Sequence, residues 1–298
     1  MVRTLAPKLL ARRLNLAPSS DTLDTLVCRV GCEFVYDCTS PVPAIAQLFV
    51  RPDGTHTVVE EHATLDPAGT IVEYVDTFGN RCGRLSLPEG VSTLRYDALV
   101  RVSALPDMVV PSAGQATIDT LPNEAMLFLL PSRYCPSDRL LSVAWDLFGG
   151  TEPGWARVQA VCDWVHHNLT FMHGSVGLAD AVEVYLQRRG VCRDFAHLAV
   201  ALCRALNIPA RYGFGYMGDI GVPPMDVPMD FHAWFEVFLG DRWYTFDCRH
   251  NTPRIGRIQI GKGRDAVDVA MLTTFGQAHL QRMTVWADEV PEGTVLDG

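Results

Sequence analysis

Cys192, His232 and Asp247 are the residues whose types and spacing could do covalent chemistry in this sequence. Cys192 stands directly after Gly190-Val191 in RRGVCRDFAHLAVALCRALNIPARYGFGY, at the start of a run with helical periodicity. At 100° per residue, Ala199, Leu202 and Leu206 fall within about 40° of Phe195, which marks a buried stripe. Cys192 lies about 60° from Phe195, on the buried side but at the open end of the helix. There a thiol meets amide N–H groups without intrahelical acceptors, and the helix dipole favours its thiolate. Arg193 adds to that effect and Asp194 opposes it.

A thiolate nucleophile calls for a base. His197 projects about 140° away from Cys192 on the same helix, which marks it as a surface or second-layer residue. DFHAWFEVFLGDRWYTFDCRHN offers a better candidate, because Gly240-Asp241 reads as a two-residue hairpin turn between strand-like runs. That turn makes 239 face 242, brings His232 opposite Arg249, and makes Asp247 a diagonal neighbour of His232 on the same sheet face. A loop one residue longer or shorter would flip the parity. Cys, His and Asp then take the three roles of acyl transfer: nucleophile, proton carrier, and holder of the imidazole tautomer. The Cys192 N–H is a candidate oxyanion donor. Trp234 and Glu236 share the His232 face. Trp234 is assigned to the cleft wall as a substrate-binding residue, while Glu236 reads equally as an ion-pair partner.

These residues need a scaffold, and the pattern around them supplies one. Residues 25–104 read as short strands with turns at Pro52-Asp53-Gly54 and Phe78-Gly79-Asn80, the pattern of a small antiparallel sandwich. Pro106, Pro111 and Pro122 mark a linker over 105–123. Helical patterns follow: Ser137 to Phe148 with Ser137-Asp138 as cap, a helix after Pro153, LADAVEVYLQRR closed by Gly190, and the Cys192 helix. Strand patterns then run to the end. Helices packed on one side of an antiparallel sheet make the class α+β. The expected organisation is an N-terminal extension (1–24), a β domain (25–110) and a catalytic domain (111–298).

Composition narrows the function classes. The chain has 298 residues and a formal net charge of −9, with no Lys/Arg run, which argues against a nucleic-acid partner. Nine cysteines contain no CxxC pair, and an odd number cannot all pair internally, so free thiols in a reducing compartment are expected. Arg12 and Arg13 interrupt the apolar stretch near the start, and no segment approaches a membrane span in length. The expectation is therefore a cytoplasmic protein without membrane contact. Cys28, Cys32 and Cys38 lack a nearby fourth ligand and read as core thiols. No metal and no cofactor is called for, although Cys192, His232 and Asp247 could in principle ligate zinc.

GVCRDFAHLAVALCRALNIPARYGFGY followed by HAWFEVFLGDRWYTFD resembles the bacterial transglutaminase-like superfamily, which includes proteins described as cysteine proteases. YVDTFGN, LPSRYCPSD, RHNTPRIGRI and GRDAVDVAMLTTFG are similar to its N-terminal β domain and flanking segments. The resemblance implies a papain/transglutaminase-like core preceded by a β-sandwich domain, with Cys192 as nucleophile, His232 as base and Asp247 as orienter. It further implies a thioester intermediate formed on a protein or peptide substrate, by a peptidase, amidase or transglutaminase-type enzyme. A non-catalytic binding module that keeps the fold is the alternative. The stretch GYMGDIGVPPMDVPMDF leads straight into His232 and reads as a lid or cleft wall, with Met217, Met225 and Met229 as adaptable apolar contacts.

Overall fold

The computed structural model describes residues 25–52, 56–174 and 177–296; the expected N-terminal extension lies outside them. Six strands come first: β1 (Thr25–Cys38), β2 (Val42–Ala46), β3 (His56–Asp66), β4 (Val72–Val75), β5 (Arg81–Leu87) and β6 (Gly90–Ser103). Helices then alternate with two short strands: α1 (Asn123–Met126), α2 (Leu141–Phe148), α3 (Trp155–Asn168), β7 (Thr170–Phe171), α4 (Ala181–Gln187), β8 (Arg189–Gly190) and α5 (Cys192–Ala205). The chain ends with β9 (Ala210–Met217), β10 (His232–Leu239), β11 (Arg242–Phe246), β12 (Arg257–Gly263), β13 (Leu272–Thr274) and β14 (Ala278–Val290). The class is α+β, as the patterning requires.

Period-two burial explains the first sheets. In β1, Cys28, Val30, Cys32, Phe34, Tyr36 and Cys38 are buried, while Arg29, Glu33 and Asp37 point outward. The three early cysteines are thus packing residues. Two four-stranded antiparallel sheets form, in the orders β14-β1-β6-β3 and β13-β2-β5-β4. Their inner faces share one core that includes Phe34, Leu48, Leu87 and Tyr96.

The last two strands depart from the expected division at 110/111. β14 runs antiparallel to β1 along nearly its whole length, and β13 pairs with β2. Alternation marks a strand in a sequence but does not name its partner. Tyr212, Phe214, Tyr216 and Ile258 also join the sandwich core. Tyr216 Oη donates to Leu48 O (2.9 Å), and Asn80 exchanges bonds with the Lys262 backbone at 2.9 Å each way.

The second core lies between the helices and the sheet β11-β10-β9-β12. α5 packs on β9 and β10, and Phe235, Val237 and Leu239 meet its Leu198, Ala199 and Leu202. Two helix ends differ from the sequence reading. No side chain caps α2, which follows a 3₁₀ turn at Ser137–Leu140. α4 starts in a capping box of Asp180 and Glu183, and closes at Arg188 (φ 57°) rather than Gly190. The Arg188 guanidinium lies 4.5 Å from the Trp164 ring and 4.2 Å from that of Tyr185, which holds the left-handed turn in place.

Candidate active site

Cys192 is the first residue of α5, as its position after Gly-Val suggested. Asp194 Oδ2 accepts from Val191 N (3.0 Å) and ties down the turn before it. Gly190 is required there: a Cβ would come within 2.5 Å of the Asp194 Cβ. Arg193 Nε donates to Asp194 Oδ1 (3.0 Å), so the two opposing charges beside the thiol largely cancel. The Cys192 and Arg193 amides, first in the helix, have no intrahelical acceptor.

His197 is not a surface residue. It is completely buried; its Nε2 accepts from Ala266 N (3.1 Å) and its ring stacks on Tyr134 at 5.2 Å. α5 is covered on nearly every side, so a direction away from Cys192 still points into protein. Burial, reinforced by Arg193 and Arg204, pushes its pKa well below the usual histidine value.

The hairpin register is the one the two-residue turn demands. Leu239 pairs with Arg242 and Phe235 with Phe246, with Gly240 at φ 60° in the turn. His232 opens β10, Asp247 follows β11, and His232 Nε2 donates to Asp247 Oδ2 at 2.7 Å. Asp247 Oδ1 accepts from the amides of Arg249 (3.0 Å) and His250 (3.2 Å). Oδ2 also accepts from Arg257 Nη2 (3.3 Å), which reaches Asp107 Oδ2 as well (3.0 Å). Burial alone would lower the His232 pKa, but the charge and hydrogen bond of Asp247, then Cys192, raise it to about 9. Burial would raise that of Asp247, yet His232 and Arg257 hold it well below the usual carboxylate range.

Because Asp247 occupies Nε2, Nδ1 is the nitrogen left for Cys192, which lines the same cleft and helps to raise the His232 pKa. The thiol also approaches Phe231 O at 3.9 Å. Cys192 and His232 open into one cleft of about 460 Å³, lined by Phe171, Met172, Met217, Met229, Arg249 and His250, among others. Eight of the nine cysteines are buried, whereas Cys192 is partly exposed. His232, Asp247 and His250 each offer a ligand atom within 4.8 Å of the others. A cation there would have to displace the hydrogen bonds that Asp247 already accepts.

A family model described as "Transglutaminase-like superfamily" matches residues 142–248. A solved structure described as a "Putative Cysteine Protease from Cytophaga hutchinsonii" is 31% identical, with a TM-score of 0.82 over 91% of this chain and 93% of that one. The chain belongs to the transglutaminase-like superfamily. An uncharacterized protein of Mycobacterium leprae is 29% identical over 254 residues, covering 80% of this chain and 88% of the relative. One of Mycobacterium tuberculosis is 35% identical over 145 residues, 44% of this chain and 46% of the relative.

Two substrate-contact assignments part company on this transglutaminase-like frame. Met217 lines the Cys192 cleft, as do Met225 and Met229 of the segment leading into His232. Trp234 does not. It is 1% exposed and borders a separate cavity with Glu236 and Arg257. It does share the His232 face, but its ring lies over β9 where Gly213 and Gly215 leave room: a Cβ there would approach it to 2.5 and 2.9 Å. The ring stacks between His232 (6.4 Å) and the Arg257 guanidinium (4.7 Å), so it supports the imidazole from behind. Sequence reasoning missed Asp107, Arg249, His250, Arg257 and Met283. The RHNTPRIGR run was the available signal for the middle three, and Met283 enters the cleft from β14. Among the described residues, no helix is long and apolar enough to cross a membrane.

Proposed function

We propose that this protein is a cysteine-dependent acyl-transfer enzyme acting on amide bonds, with Cys192 as nucleophile, His232 as proton carrier and Asp247 as its orienter. The observation that carries this reading is the placement of the sole partly exposed thiol beside a His–Asp pair in one cleft. His232, with its pKa near 9, rests as an imidazolium at neutral pH, donating from Nε2 to Asp247 and from Nδ1 toward Cys192.

The sulfur attacks the carbonyl carbon, and the oxygen's negative charge meets the amide N–H of Cys192 at the helix start. Collapse breaks the C–N bond, the leaving amine takes the Nδ1 proton, and a thioester remains on Cys192. Neutral His232 then accepts a proton from the second nucleophile as it attacks the thioester, and the sulfur leaves. Water in that role gives peptidase or amidase chemistry; a lysine amine gives cross-linking. Asp247 keeps the ring in one tautomer throughout, and Arg257 keeps Asp247 ionised. The cleft's apolar lining suits a protein or peptide substrate.

The test combines thiol-directed activity probes with an unbiased peptide library. Mass spectrometry should place the adduct on Cys192 and detect cleaved, deamidated or cross-linked peptides. Cys192→Ala should abolish both signals. Turnover that survives this substitution would remove the assignment.

A further inference from the structure

The arginines around the His–Asp pair are engaged, with one exception. Arg193 bonds to Asp194. Arg254 reaches His250 Nδ1 (3.3 Å) and Gly218 O (3.0 Å), and Arg257 holds Asp107 and Asp247. The Arg249 guanidinium has no hydrogen bond and no ion pair among the described residues, and lies instead over the Phe171 ring at 3.7 Å. Both side chains line the Cys192 cleft.

Arg249 is half-buried there, and burial lowers its pKa against the opposing pull of Asp247 and Cys192. A partly desolvated cation with no anion bonded to it is unfavourable, and an incoming anion relieves it with charge-assisted bonds. The acids of the same cleft do not fill that role. Asp219 accepts from Met225 N (2.8 Å) and faces Arg254 at 3.6 Å, and Asp230 accepts from Phe231 N (2.7 Å). The Phe171 ring fixes the guanidinium plane and leaves its N–H edge for a planar, two-oxygen acceptor. The same cleft is lined by Met172, Met217, Met225, Met229 and Met283, unbranched side chains that adapt to varied apolar groups.

We propose that Arg249 is a carboxylate-recognition group of the Cys192 cleft, so that the substrate is an amide bearing a carboxylate near the scissile bond and apolar side chains around it. This rests on the reading of Cys192 as the nucleophile. The carboxylate belongs either to a chain terminus or to an acidic side chain; the chemistry at Arg249 is the same.

Two small electrophiles test it without a known substrate. Iodoacetate and iodoacetamide both alkylate a thiolate with loss of iodide, and they differ in carrying a carboxylate or an amide. Rates at Cys192, read by mass spectrometry, should favour iodoacetate in the native protein. Arg249→Gln should lower the iodoacetate-to-iodoacetamide ratio about tenfold, and Arg249→Lys should keep part of it. An unchanged ratio overturns the proposal, as does an equal fall in both rates, which would assign Arg249 to the field around the sulfur. Should Cys192 take neither reagent, the nucleophile reading fails while Arg249 remains testable through modification by phenylglyoxal. 4-Phenylbutyrate should slow that modification and 4-phenylbutyramide should not; equal protection by both overturns the anion site. Peptides with a free or amidated C-terminus, and with Glu or Gln beside the scissile bond, separate the two sources. Indifference to both changes would again overturn it.

Discussion

Arg257 and Asp247 share a hydrogen bond of 3.3 Å behind the imidazole, on the same oxygen that accepts from His232. Asp107 closes the chain of charges from the other side, bound to Arg257 Nε (3.2 Å) and Nη2 (3.0 Å). Carboxylates and cations thus alternate from the linker of the first half to the cleft. Replacing Arg257 by Gln leaves half-buried Asp107 without its ion pair and buried Asp247 with His232 alone, and should cost roughly 3 kcal/mol in denaturant unfolding. Adding Asp107→Asn should recover part of that loss, which a double-mutant cycle measures.

The same chain predicts opposite shifts in the pH profile of Cys192 alkylation. Arg257→Gln exposes His232 to more negative charge and should move its limb upward; Asp107→Asn frees the positive charge of Arg257 and should move it downward. The other charged or titratable groups near the ring are Cys192, His250, Arg249 and Asp230. Shifts in the same direction for both variants would show that the network acts on structure alone.

Stability should depend on pH through the His–Asp pair. The folded pKa of His232 is raised from 6.5 to about 9, so its contribution is complete below 6.5 and fades as pH rises through 9. The folded pKa of Asp247 is depressed, so its contribution is present above the ordinary value of 3.8 and fades on acidification below it. The stability difference between native protein and His232→Ala should therefore be widest between about pH 4 and 6.5. Urea titrations across pH 3–10 check the window.

A thiol-selective reagent should modify Cys192 well before the other eight cysteines in the folded protein. Those are buried, and burial pushes the thiols of Cys28 and Cys32 up to about 12. Cys192→Ala and His232→Ala should each reduce amide turnover at least about 10³-fold. Peptide mapping after a short pulse of reagent and turnover assays provide the checks.

Shortening residues 219–228 should alter substrate preference or the alkylation rate of Cys192 and leave thermal stability nearly unchanged. Met225 and Val227 line the cleft, yet are 48% and 43% exposed, so their removal sacrifices little buried area. A large fall in Tm with an unaltered alkylation rate would assign the segment to packing.

Local rules were enough to bring the three candidate residues into position. Apolar periodicity put Cys192 at a helix start, and the Gly240-Asp241 turn set the parity that brings His232 to Asp247; both depend on neighbours within a few residues or across one hairpin. They also specified strands, then helices, then strands, and hence α+β. Partners distant in the chain were not legible. β14 completing the sheet beside β1, Met283 entering the cleft and Asp107 reaching Arg257 all join segments far apart in sequence. Exposure had to wait for packing as well. His197 and Trp234 look available on a helix wheel or strand face, but the layer covering α5 and the glycines of β9 enclose them. Periodicity reports which way a side chain points; only the assembled layers decide whether it meets solvent, a cleft or a neighbouring ring.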